Sequence, residues 1–319
     1  MKPLVTVVTI TFNLIKAGRE KTFRQSLESI HNQTYKNIEH IIIDGASQDG
    51  TIELLEEYAQ KGWIKYYSES DTGIYNAFNK GIDRANGEYI VFVNSDDFYH
   101  SKFGIEKSVE ALLESGATYS YADDYLLNEE KPSKSKIRKA KIHRIFHRMP
   151  FCHQTMFTKK SLFEEIGKFD ETYRSAGDYE FIIRAFLRGH KGVKVNHNFC
   201  TFRMGGESNI NEKISHQECI RIFQEKYAQF YPLTKHQAIK MFLTFCTPFK
   251  LLVKLIQFFD FKQLVCFSGF YARKAALSYR RELLQLRTSS KDTRLRILGK
   301  FFIEPKEIHS SFKDDGYID

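Results

Sequence analysis

Tyr89-Ile90-Val91-Phe92-Val93-Asn94-Ser95-Asp96-Asp97 is an apolar run that stops abruptly at two adjacent carboxylates. Its first five residues are β-branched or aromatic, which reads as a buried strand. Adjacent carboxylates at such a strand end repel each other unless water or a cation takes up their charge. In an open α/β sheet the C-terminal ends of the strands are where ligands bind. Taken alone, Ser95-Asp96-Asp97 reads equally well as the solvated cap of a following helix, because short acidic motifs recur by chance. The flanking sequence decides.

Residues 4–10 read as a first strand, and 21–33 as a helix with Phe23, Leu27 and Ile30 on one face. A second strand follows at 38–43, a helix at 51–61 carrying Ile52, Leu55 and Tyr58, a third strand at 64–68, a helix at 71–85 and the fourth strand at 89–93. This alternation predicts an α/β fold with a mostly parallel, doubly wound sheet. Beyond it the pattern gives a helix at 105–114, a strand at 118–122, a helical element at 162–166, a turn at Gly167-Lys168-Phe169-Asp170, a helix at 179–187 and a strand at 193–202. The Ser/Lys-rich segment 131–148 reads as a mobile loop. From Glu212 the composition turns to Phe, Leu, Ile, Lys and Arg at helical spacing, so we expect a catalytic domain over 1–211 and a basic, aromatic-rich helical extension over 212–319.

The chain has 319 residues, 42% of them hydrophobic, with 28 Phe and 17 Tyr, which is ample for a packed core. Its five cysteines form no C-x-x-C pair, which suits a reducing compartment better than a disulfide framework or a zinc site. Met1-Lys2-Pro3 leads straight into an apolar strand without the length or cleavage site of a signal peptide, and a cytoplasmic protein is expected. The net charge of +9 is uneven: residues 131–148 hold eight Lys/Arg and no acid, residues 236–300 hold 13 against three acids, and the remainder is acidic. Nucleic acid, anionic lipid or a pyrophosphate would each suit such patches. Phe242, Phe245, Phe249, Leu252, Val253, Ile256 and Phe259 share a helical face, but Lys240, Pro248, Lys250 and Lys254 interrupt it and argue against a spanning helix. An interfacial helix and a cap packed on the first domain both fit.

Each early strand end is followed by a polar group: Thr11-Phe12-Asn13, then Asp44, then Asp71, then Asp96-Asp97. Singly each could cap a helix, Asp71 above all. Four at one sheet edge form a constellation. No G-x-G-x-x-G follows the first strand and no G-x-x-x-x-G-K-[ST] occurs, which speaks against dinucleotide and P-loop folds. Without a glycine-rich cradle, a divalent cation on Asp96-Asp97 is the natural way to neutralise a diphosphate.

At this point the chain resembles the family 2 glycosyltransferases of GT-A fold, in the branch that builds bacterial surface polysaccharides. The matching stretches are Val7–Asn13, Ile42–Thr51, Asp71–Ile82, Ala85–Tyr89, Val93–Asp97, His153-Gln154, Gly167–Asp170 and Gly177–Glu180, covering roughly residues 4–208. The resemblance implies an inverting transfer from a nucleotide-sugar donor, UDP being the commonest nucleotide. Thr11 and Asn13 would lie near base and ribose, Asp44 at the base edge, and Asp71 near ribose and diphosphate. Asp96 and Asp97 would hold the ribose hydroxyls and a Mn²⁺ or Mg²⁺ on the diphosphate, although Asn94 stands at the motif's first acidic position. Asp178 matches the catalytic base, with Glu180 as the fallback. His153 and Gln154 match an acceptor-side segment. The late histidine that often completes the metal shell is missing around Arg203-Met204-Gly205-Gly206, where His197 is a weak substitute.

That division of labour suits the chemistry, since one carboxylate takes the proton of the attacking hydroxyl while a cation steadies the departing diphosphate. The acceptor implied is a saccharide on a polyprenyl diphosphate, with the basic extension holding the enzyme peripherally on the anionic inner face of the cell membrane and no nucleic acid involved. Two other readings are a nucleic-acid-binding protein using the basic segments, and a nucleotidyltransferase. The first leaves the ordered strand-end residues unexplained. The second ordinarily needs a glycine-rich basic loop that Thr11 to Gly18 does not supply.

Overall fold

A computed structural model describes residues 2–205, 212–244, 247–255 and 258, and the chain divides into two compact units. The larger comprises Met1–Lys141 and Met149–Glu218. Its centre is β1 (Val5–Thr11), flanked in parallel by β2 (Ile38–Asp44) and β4 (Tyr89–Phe92), with β3 (Lys65–Ser68) beyond β2. Val5, Val7, Val8, Ile41, Ile42, Ile43, Ile90 and Val91 are wholly buried, as expected of parallel strands covered on both faces. The crossovers are α1 (Glu20–His31), α2 (Thr51–Gln60) and α3 (Ile74–Arg84). The register aligns Thr11 with Asp44 and Asp44 with Ser68, so the polar strand ends fall on one edge.

Past β4 the sheet turns mixed. β5 (Phe98–Tyr99), α4 (Gly104–Ser115), β6 (Tyr119–Leu127), β7 (Lys136–Arg138), β8 (Thr158–Lys159), α5 (Lys160–Ile166), α6 (Gly177–Leu187) and β9 (Gly192–Arg203) follow in chain order. The spatial order is β3-β2-β1-β4-β8-β6-β9-β5, with β7 paired to β6. Strands β5 and β8 have two residues each, too few for any alternation to show in sequence.

Two expectations need correction. Helix α3 starts at Ile74 rather than 71, leaving Asp71-Thr72-Gly73 as a turn. The basic segment 131–148 is not a loose loop: it holds β7 and a 3₁₀ turn at Pro132–Lys134, and Arg138 forks onto buried Asp124 through bonds of 3.0, 3.1 and 2.7 Å. Its last part, Ile142–Arg148, belongs to the second unit, where Ile145, Phe146 and His147 are buried and His147 Nε2 lies 3.0 Å from Thr247 Oγ1.

The second unit continues from Cys219. Its described helices are the rest of α7 (Glu212–Tyr227), α8 (Lys235–Thr244) and α9 (Phe249–Leu255). Ala238, Met241, Leu251, Leu252 and Leu255 are buried, and Phe223 and Tyr227 stack at 5.8 Å. Pro248 lies between α8 and α9, where a continuous helix would lack an N–H and clash with the preceding turn. Phe245, Ile256, Phe259 and the rest of the expected basic face up to 300 lie outside the described residues. Among the described residues, no helix is long and apolar enough to cross a membrane.

Candidate active site

At the sheet edge, Asp44 is fully buried and four donors converge on it. Thr11 Oγ1 donates to Oδ1 (3.0 Å), Ser47 Oγ to Oδ1 (2.6 Å), Ser47 N–H to Oδ2 (2.8 Å) and Ser68 Oγ to Oδ2 (2.8 Å). Asn13 ties the same two loops together: its N–H donates to Ser47 Oγ (2.7 Å) and its Oδ1 accepts the Gln48 N–H (3.1 Å). It does so at φ +46°, a left-handed conformation that Asn tolerates better than most residues. Phe12, between Thr11 and Asn13, is 64% exposed. Gly45 lets Phe12 and Asp71 close over it, because a Cβ there would stand 2.7 Å from Asp71 Oδ2 and 3.1 Å from the Phe12 ring. Asp71 Oδ1 accepts the Gly73 N–H (2.9 Å), an Asx turn outside the helix rather than its cap.

The two carboxylates after β4 differ sharply. Asp96 keeps a partly exposed side chain, with Oδ2 3.8 Å from Arg19 Nη1. Asp97 is 1% exposed, with Oδ1 accepting the Arg203 N–H (2.6 Å) and Oδ2 accepting from Gln154 Nε2 and Asn94 Nδ2 (3.3 Å). Burial, then the charge of Asp96, pushes the Asp97 carboxyl up to about 7 against those hydrogen bonds. The Asn94 substitution follows from this: an aspartate there would face Asp97 with a second acceptor where the amide donates. Where a late histidine was sought, Arg203 buttresses the acidic loop, its guanidinium donating to the Asp96 carbonyl, Gln25 and Glu129. His197 is engaged with Ser101 Oγ at 2.7 Å.

Among the described residues, no group of three or more His, Cys, Asp and Glu side chains could hold a metal by itself. The donor set fits a cation only in the manner of Mg²⁺ or Mn²⁺ in phosphoryl sites, bound through one or two carboxylates and completed by the ligand's own oxygens. Asp96 is the carboxylate available for that.

Facing a different wall, Asp178 sits in the first turn of α6 with 20% side-chain exposure. Its Oδ1 accepts the Tyr179 N–H (2.8 Å) and the Tyr75 O–H (3.2 Å), and its Oδ2 lies 3.3 Å from His153 Nδ1. Tyr75 reaches it over Gly177, where a Cβ would collide with the ring at 2.8 Å. Burial and the Asp178 charge keep the Tyr75 phenol protonated, far above its usual range. Burial alone would lower the His153 imidazole, yet hydrogen bonding and charge from Asp178 leave it above its ordinary value. Asp178 is not the helix cap; Glu218 takes the Arg174, Ser175 and Ala176 N–H groups just before it, at 2.7, 2.9 and 2.8 Å. Glu180 is wholly buried and holds Arg184 at 3.0 and 2.9 Å, so it is engaged elsewhere. Phe78, Met156, Phe163 and Phe169 line a cavity of about 10 Å³ beside His153 and Asp178, room for about one water.

The expected site residues therefore all lie in the larger unit, but Gln154 faces the acidic strand end, wholly buried, with Oε1 accepting the Asn94 N–H (3.0 Å). Tyr75, Arg203 and Glu218 were not singled out as site residues from sequence. Tyr75 stands within a quoted motif, whereas Arg203 and Glu218 carry no local signal, because their partners lie far away in the chain.

Comparison with known proteins bears on the family and the fold. The profile described as Glycosyl transferase family 2 matches residues 6–167. A protein described as an uncharacterized glycosyltransferase of Mycobacterium tuberculosis is 33% identical over 192 residues, 58% of this chain and 70% of that protein. Among solved structures, S. aureus TarS 1-349 in complex with UDP-GlcNAc superposes with a TM-score of 0.59 at 16% identity, over 95% of this chain and 92% of its own. The mannosyltransferase PcManGT from Pyrobaculum calidifontis, in complex with GDP-Man and Mn²⁺, gives a TM-score of 0.53 at 17% identity, over 96% and 88%. At these identities the two structures show a shared fold.

Proposed function

The chain belongs to the family 2 glycosyltransferases, with a GT-A type sheet, and on that premise we propose that it moves a sugar, with inversion, from a nucleotide-diphosphate donor to a saccharide hydroxyl. The observation that carries the reading is the pairing of one open carboxylate on the acidic strand end, Asp96, with a second open carboxylate, Asp178, that hydrogen bonds orient without covering. Asp178 takes the proton of the acceptor hydroxyl as that oxygen attacks the anomeric carbon, and the bond to the diphosphate breaks on the opposite face. A charged residue kept partly in water beside a phenol and an imidazole suits that task better than Glu180, which is locked to Arg184.

On the donor side, the exposed Phe12 ring and Asn13, on the loop that Thr11 and Asp44 brace, would receive base and ribose, and Asp71 the ribose and diphosphate. A Mn²⁺ or Mg²⁺ held by Asp96, with Asp97 behind it, would supply positive charge to the leaving diphosphate. Arg19 adds a fixed cation beside Asp96. The donors bound by TarS and PcManGT support a nucleotide sugar, with UDP favoured. The acceptor side carries His153, and the acceptor is a lipid-linked saccharide of cell-surface polysaccharide synthesis. The basic stretch 236–300 motivates a peripheral place on the cytoplasmic face of the membrane.

A thermal-shift screen of UDP, dTDP and GDP, each with and without Mn²⁺, tests the donor half. One nucleotide at about 100 times its Kd should add about 2.7 kcal/mol of stability, a shift of a few degrees, and only with the metal. No shift with any of the three would overturn the reading.

A further inference from the structure

One short 3₁₀ turn, His153–Thr155, touches both halves of the site. Its first residue reaches the base, with Nδ1 at 3.3 Å from Asp178 Oδ2. Its second reaches the acidic strand end, where Gln154 accepts the Asn94 N–H (3.0 Å), donates to Asp97 and offers its carbonyl to the Tyr99 O–H (2.7 Å). Its third, Thr155, clips the turn to β6: Oγ1 accepts the Ala122 N–H (3.0 Å) and faces the Cys152 carbonyl (2.8 Å). Gln154 and Thr155 are wholly buried, so these bonds lie away from competing water.

A carboxylate only accepts, so Nδ1 carries the proton that faces Asp178. Nε2 of the same ring is buried and has no hydrogen-bond partner among the described residues. Among the described residues, the contact to Asp178 is therefore the ring's one directed polar interaction.

We propose that the His153–Thr155 turn is a yoke: His153 fixes the direction of the Asp178 carboxylate, Gln154 fixes the Asp96-Asp97 strand end, and the rigid turn sets the spacing between them. His153 and Gln154 are positioning residues on this view. The yoke rests on the assignment of Asp178 as base and Asp96 as the cation-facing carboxylate. The charged and titratable groups that act on the His153 ring are Asp178 of α6, Cys152 of its own segment and Asp97 after β4, while Tyr75 of α3 acts on the shared carboxylate.

The test uses the full chain, with UDP and Mn²⁺ as the binding probe and ¹⁵N-histidine NMR to titrate the ring of His153. Asp178→Asn should lower the ring's midpoint by about one pH unit, since it removes the adjacent charge. Gln154→Leu leaves the ring and the Asp178 carboxylate themselves unaltered, and should lower that midpoint in the same direction while weakening UDP–Mn²⁺ binding about tenfold. His153→Leu should cut kcat about tenfold with UDP–Mn²⁺ affinity unchanged, and His153→Asn, whose amide nitrogen takes the place of Nδ1, should restore most of it. If Gln154→Leu does not fold, Thr155→Ala loosens the same turn and replaces it. An unmoved midpoint in the Gln154 or Thr155 variant would show two independent neighbours and end the yoke. Full turnover in Asp178→Asn would instead end the assignment of the base and leave the NMR arm intact.

Discussion

At the donor edge, Asp44 and Asp97 are shut away from water and ringed by N–H and O–H donors, whereas on the opposite wall Asp178 keeps a fifth of its side chain exposed beside a phenol and an imidazole. All three are motif aspartates, and all three read alike in sequence. The difference separates aspartates that build loops from aspartates left open for chemistry. Asp44 staples the ends of β1, β2 and β3, and Asp97 anchors the acidic loop to β9. Asp96, Asp71 and Asp178 are the ones a ligand can reach.

Removing the open base should have the largest effect. Asp178→Asn is expected to lower kcat by roughly a thousandfold while nucleotide affinity stays within about twofold, as general-base loss implies; initial rates and calorimetry check it. Asp96→Asn should abolish the Mn²⁺-dependent part of nucleotide binding and lower kcat/KM by about a hundredfold, with the melting temperature held to within about a degree. A large loss of fold stability there would place Asp96 with the scaffold and break the distinction. Asp44→Ala should do the reverse: it leaves four donors unpaired, three of them buried, and should cost about 3 kcal/mol in urea unfolding. Gly177→Ala should push the Tyr75 ring from Asp178 and lower kcat about tenfold, with donor binding intact.

The smallest effect follows pH. The Asp97 carboxyl is raised in the fold, to about 7, so the metal-free protein loses stability as pH climbs from the ordinary carboxylate range to 7 and levels off above it. Ionisation of Asp97 beside Asp96 in turn strengthens the pull on a cation. The Mn²⁺-dependent thermal shift with nucleotide should therefore grow from pH 6 to pH 8, with at most about a tenfold gain in affinity per pH unit. Asp96→Asn should flatten that slope.

Much of the fold was legible because β1, β2 and β4 are long apolar runs between amphipathic helices. The two-residue strands β5 and β8 have no period to read, and charge masked structure in 131–148, where Ile145 and Phe146 enter a core among eight basic residues. The site residues were visible as motif letters; their division of roles was not, since exposure and partner number are properties of the folded chain. Tyr75 and Asp178 are 103 residues apart, and Arg203 and Asp96 are 107 apart, separations at which sequence spacing says nothing about contact.

Glu218 bears on where the protein could be cut. A fragment ending at residue 211 would keep Thr11, Asp96, His153 and Asp178, together with every other residue assigned a part in the reaction. It would lack the one carboxylate that gathers three amides ahead of Asp178, and Arg174, Ser175 and Ala176 would be left with open donors at the entrance to α6. The shortest piece able to hold its base in place is therefore longer than the piece that carries the motifs.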